Sequence, residues 1–113
     1  MSEAEEDLLR EEVLSVYQTL ALTADVIEAA ERHLGPSNWD IEGAGERAAP
    51  AVSDAELSEA EMREVLNNMR EDLRSALEVL RRYAQHEDVT RATIMLGFMV
   101  KGSILRIEKV LNR

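Results

Sequence analysis

Two histidines, His33 and His86, and the acidic pairs Glu11–Glu12 and Glu28–Glu31 are the side chains of this 113-residue chain best suited to chemistry. Helical di-metal sites hold their ions with Glu-x-x-His pairs that face inward. Three residues before His33 stands Ala30, and three before His86 stands Tyr83. The motif is absent, so both histidines read as surface residues near helix ends. Gly43-Ala44-Gly45 lacks the preceding strand and the later glycine that a phosphate-cradling loop needs. With no cysteine, neither a disulfide nor a thiolate metal site can form. We therefore expect no metal and no cofactor. The one enzymatic chemistry left open is a small Mg²⁺-dependent site built from carboxylates that converge between helices.

The elements that would position such groups are helical. Apolar residues make up 45% of the chain against five Gly and two Pro, and Ala, Leu, Glu and Arg dominate, a composition that favours α-helix throughout. The net charge of −10 is unevenly spread. Residues 1–61 carry 16 acids and 3 bases, whereas residues 62–113 carry 7 acids and 10 bases. An acidic chain of this kind is a poor ligand for phosphate backbones, so no direct nucleic-acid binding is expected. The opening Met-Ser-Glu-Ala-Glu-Glu-Asp has none of the basic character of a secretory leader, and no apolar run reaches about 20 residues. These features lead us to expect a cytoplasmic protein without a membrane partner.

The spacing predicts a single domain over 1–113 with three long helices. The first, at 6–34, carries Leu9, Val13, Val16, Leu20, Thr23, Ile27, Ala30 and Leu34 at alternating intervals of four and three, and further apolar positions widen that seam. Gly35-Pro36 ends it. Residues 35–52 read as an irregular loop holding Trp39 and Ile41, which either pack back onto the bundle and pin the loop or anchor a partner. A second helix at 54–86 follows one of two capping boxes, Ser53–Glu56 or Ser58–Glu61. Its seam is Met62, Leu66, Met69, Leu73, Ala76, Leu80 and Tyr83, while Arg70, Arg74 and Arg81 form a basic outer stripe. A turn at 86–89 leads to the third helix at 89–112, capped by Asp88 or Thr90.

Ala92–Val100, ATIMLGFMV, is apolar on nearly every side, and a helix of that kind must be surrounded by others. Beyond it Ile104, Leu105, Ile107, Val110 and Leu111 are expected to point inward. Gly97 and Gly102 each cost a helix about 1 kcal/mol relative to Ala. Close approach of another helix backbone would repay that cost. We therefore expect an all-α antiparallel bundle of three helices completed by dimerisation, with Met95, Gly97, Phe98, Gly102 and Leu105 at the interface between copies.

The function class that fits is a non-enzymatic, protein-binding regulator or adaptor acting as an acidic homodimer. Besides itself it would bind an unidentified protein. Trp39 and Ile41 would provide the anchor, and Glu11, Asp25, Glu28 and Glu31 the steering charge. The rivals are the Mg²⁺-dependent enzyme, a nucleic-acid mimic displaying acids at phosphate-like spacing, and a purely structural oligomer module.

Overall fold

A computed structural model describes residues 3–53 and 55–112, and among these the chain is helical with no strand. Helix α1 spans Glu3–Leu34, α2 Ile41–Ala48, α3 Glu59–Tyr83 and α4 Arg91–Leu111. A 3₁₀ turn over Ala49–Val52 extends α2. At 1.5 Å per residue the 32 residues of α1 make a rod of about 48 Å, and the molecule measures 49 × 23 × 17 Å. The shortest dimension holds only two helices stacked at the usual 8–10 Å.

The seams read from the sequence form the core. Leu9, Val13, Val16, Leu20, Thr23 and Ile27 are buried on α1, with Ala30 and Leu34 half-buried beyond them. Met62, Leu66, Met69, Leu73, Ala76, Leu80 and Tyr83 are all buried on α3. Thr23, a hydroxyl in an apolar seam, donates to the Thr19 carbonyl at 2.6 Å, so its burial leaves no polar group unpaired.

The helix directions follow from which residues meet. Ser103 on α4 reaches Thr19 on α1, and Arg106 reaches Glu12 and Ser15. Arg63 near the start of α3 reaches the Val110 carbonyl near the end of α4. Helix α4 therefore runs antiparallel to both neighbours. Tyr83 at the end of α3 donates to the Gly35 carbonyl just past α1 at 2.7 Å, so α1 and α3 run parallel. A simple up-down-up succession of three long helices does not describe this. Residues 35–58 carry the chain back along α3 before α3 begins.

That return limb corrects the expectation of an irregular loop at 35–52. Gly35, at φ 92°, ends α1, and Asn38 takes a second left-handed conformation at φ 64°, one that Asn tolerates better than most residues. Asp40 then caps α2 by accepting from the Gly43 amide at 3.0 Å. A Cβ on Gly43 would collide with the Asp40 carboxylate, so a glycine at this position is what lets the cap close. Ala44 and Ala48 are buried, and their small side chains let α2 lie close on α3.

Ser58, not Ser53, starts α3. The Glu61 carboxylate accepts from the Ser58 amide at 3.1 Å, and the Ser58 hydroxyl accepts from the Glu61 amide at 3.2 Å. Ser53 instead donates to the Pro50 carbonyl, and Asp54 lies outside the described residues. The Ser58 amide, and then its hydroxyl, hold the Glu61 carboxyl below its ordinary value. A depressed carboxylate adds stability that is complete above its unfolded pKa and lost as pH falls through the lower folded value. Glu61→Gln should therefore flatten the acid limb of a melting-temperature-versus-pH profile and leave the neutral limb unchanged in slope. The 84–90 connection turns the chain, with Thr90 as the cap of α4 through a 3.2 Å bond from the Thr93 amide.

Trp39 closes the return limb. It is only 8% exposed, and its indole Nε1–H donates to the Asp72 carbonyl at 3.0 Å. Trp39→Ala should cost roughly 3–5 kcal/mol in a urea titration, the scale of a large buried aromatic. Trp39→Phe, which drops the hydrogen bond while keeping most of the ring, should cost nearer 1–2 kcal/mol.

Candidate functional site

Among the described residues no three His, Asp or Glu side chains stand close enough to hold a metal ion. An open pocket of about 450 Å³ lies where α1 meets the start of α3 and includes Glu5, Glu12, Glu59 and Arg63. Arg63 binds Glu59 at 3.2 Å and Arg106 binds Glu12 at 3.2 Å, so bases are interleaved with these carboxylates. His33 and His86 are both exposed. His86 meets the Tyr83 ring edge-on at 6.4 Å. Burial, and then the charge of Glu31, push the Tyr83 phenol above its ordinary value.

The anchor expected in the 35–52 segment is not free. Trp39 belongs to the core, and Ile41 is half-buried against it. Glu31 is also occupied within its own chain, because its carboxylate accepts from the Ser37 amide and hydroxyl at 3.0 and 3.1 Å. That contact fastens the start of the return limb, and Arg82 holds the Ser37 carbonyl at 2.7 Å. Glu11, Asp25 and Glu28 remain exposed on α1. The Arg stripe on α3 is more fully paired than its sequence suggested. Arg74 reaches Glu71 and Glu108, Arg81 reaches Glu78, and Arg70 reaches Glu71. Two of these four pairs, Arg74–Glu71 and Arg81–Glu78, have i,i+3 spacing.

The feature left over is the outer face of α4. Val100, Leu96, Ile104 and Ile107 turn inward. Ile94, Met95, Phe98, Met99 and Leu105 turn outward, and Phe98 is 72%, Leu105 58% and Met95 57% exposed. Five of the nine large apolar side chains exposed among the described residues therefore sit on one 21-residue helix. Two expectations are corrected here. Ala92–Val100 is not surrounded within the chain, because a slab two helices thick has no interior position for it. Leu105 points out, not in.

The outward residues form a seam of their own. Arg91, Met95, Phe98, Gly102, Leu105 and Lys109 follow one another at intervals of four and three, the spacing of a helix–helix contact. Helix α1 borders this seam and is itself incompletely covered. By length and composition it is the one helix among the described residues apolar enough to cross a membrane, yet only 28% of that apolar window is buried. Its outward Leu14 and Leu22 are both more than two-fifths exposed. On the other side an open groove of about 270 Å³ between α3 and α4 is lined by Leu77, Ile94, Gly97, Phe98 and Lys101, among others.

The two glycines of α4 have no neighbour of their own. A Cβ added at Gly97 or Gly102 would meet nothing within 4 Å, so no helix of the same chain needs them. Comparison of the chain with protein-family models, curated proteins and solved structures found no match, so these surfaces are the evidence about function. Gly97→Ala should raise stability by about 0.5–1 kcal/mol in urea titration, the gain of replacing glycine in an unobstructed helix interior. A loss there would mean that something outside the chain fills the space.

Proposed function

We propose that this chain is a non-enzymatic protein-interaction module, a small acidic regulator or adaptor that works as a helical homodimer. The observation that carries the reading is the uncovered seam Met95–Phe98–Gly102–Leu105 on α4. A protein this small rarely leaves a contiguous apolar face of this kind in water unless something binds there. Two further features support it. Met95 and Met99 supply flexible, polarizable side chains suited to a contact surface. The glycine at the centre of the seam costs helix stability without any return inside the chain. The bundle, two helices thick, is then completed by the second copy. Acids outside that contact, such as Glu42 and Glu46 on α2, are left to steer a basic protein partner.

Light scattering over a concentration series should give a dimer mass. Phe98→Glu should give a monomer with an unchanged helical spectrum, because Phe98 makes little contact with its own core. A wild-type monomer at every concentration would overturn the reading. The Mg²⁺-dependent alternative predicts the opposite of ours in a second measurement. A cation that binds the native state must stabilise it, and we expect no rise in melting temperature with Mg²⁺ or Mn²⁺.

A further inference from the structure

The exposed charges on α1 and α4 are opposite in sign. Arg91, Lys101, Arg106 and Lys109 are the exposed ionised side chains of α4, and Glu108, its one acid, is half-buried against Arg74. The outward stripe of α1 repeats the interval of four and three through Asp7, Glu11, Leu14, Gln18, Ala21, Asp25, Glu28 and Arg32. Arg32 is the one cation in that stripe. No ion pair engages Glu11, Asp25, Glu28, Arg91, Lys101 or Lys109 among the described residues.

Two copies can bring their α1–α4 faces together with two-fold symmetry in two ways. If the axis lies across the helices, each helix faces its own copy. The bases of α4 then oppose the same bases, and the acids of α1 oppose the same acids. If the axis runs along the helices, α4 of each copy lies over α1 of the other, and Arg91 and Lys109 meet a stripe whose charges are acidic except for Arg32. Juxtaposed like charges select against the first arrangement, and opposite ones steer the second. We infer that the occupant of the α4 seam is α1 of a second copy, in an antiparallel four-helix layer whose two-fold axis runs along the helices. This rests on the homodimer reading above.

Symmetry then fixes the register. Within one chain, residues of α1 and α4 that meet have numbers adding to between 118 and 122. A rotation about an axis parallel to the helices leaves every residue at its own height, so the same rule holds between copies. Lys109 comes level with Glu11 of the second copy, Arg91 with Glu28, and Gly102 within a residue of Ala21, where two small residues allow close approach. Leu22 and Met99, at nearly equal heights on the two inner edges of the face, line the axis with their mates.

The chain has no cysteine, so single cysteines report contacts without background. Glu11→Cys and Lys109→Cys, both at exposed positions, would be prepared separately, checked for unchanged helicity, and treated with a short bis-maleimide singly and mixed. The expected result is covalent dimer in the mixture at several times the level in either protein alone. Self-linking of the Lys109→Cys protein at or above the mixture level would overturn the arrangement in favour of α4 on α4. A dimer by mass with no covalent product in the mixture would overturn it too, while leaving the homodimer reading intact. A monomer by mass would overturn both. As a second readout, Glu11→Lys should weaken the dimer several-fold, and adding Lys109→Glu in the same chain should restore it. Failure of that restoration would count against the pairing.

Discussion

The grip of Asp72 on the return limb is the interaction on which the arrangement of the long helices depends. Its backbone carbonyl accepts from Trp39, and its carboxylate takes both arms of Arg47 at 2.8 and 2.9 Å. A carboxylate this well covered would be costly if unpaired, and the bidentate guanidinium meets that demand at one fixed orientation. The same pairing, by hydrogen bonding first, holds Arg47 still further above its ordinary pKa. A residue just before α2 and one in its last turn are thus tied to a single turn of α3. With the limb held there, the chain arrives back beside the start of α1 before α3 begins, and α1 and α3 are obliged to run parallel. Helix α4 is then the only long helix antiparallel to its neighbours.

From that geometry comes the incompleteness of the fold. The short return limb occupies the fourth corner that a full-length helix would fill in a regular four-helix bundle. It covers α3 well and leaves α4 on an outer edge. The apolar run in α4 is therefore a mismatch between sequence and monomer, not a consequence of poor packing elsewhere, since the seams of α1 and α3 are almost wholly buried. Charge adds a second asymmetry. The acids gather on α1 and the bases on the outside of α4, so the two uncovered faces complement one another.

The parts of this fold that were legible in the sequence were those with long, uninterrupted periodicity. The seams from Leu9 to Leu34 and from Met62 to Tyr83, the Ser58 cap and the turn before Thr90 all repeat local rules of spacing and capping. Helix α2 was not legible because its signal is eight residues long and carries two glycines. Its stability is tertiary, supplied by Arg47 and by alanines small enough to approach α3. Trp39 could be read as packing back onto the bundle, but its hydrogen-bond partner was hidden for the same reason, because it lies 33 residues away. Of the surface residues, the α4 group was recognisable from its excess of apolar character. Glu31 was misjudged because its partner, Ser37, belongs to a turn that no periodicity describes.

The separation of contacts along the chain also sets an order of events. Helices α3 and α4 are joined by a seven-residue connection and pack as a local hairpin, which closes at little entropic cost. Helix α1 meets α4 through residues 84 to 94 positions apart. Contacts that distant form late, and mutations that weaken them act mainly on unfolding. Helix α1 is thus the element with the most to lose by local opening. It carries the acidic face, so the surface that would recognise another chain is mounted on the segment whose own attachment is the most conditional.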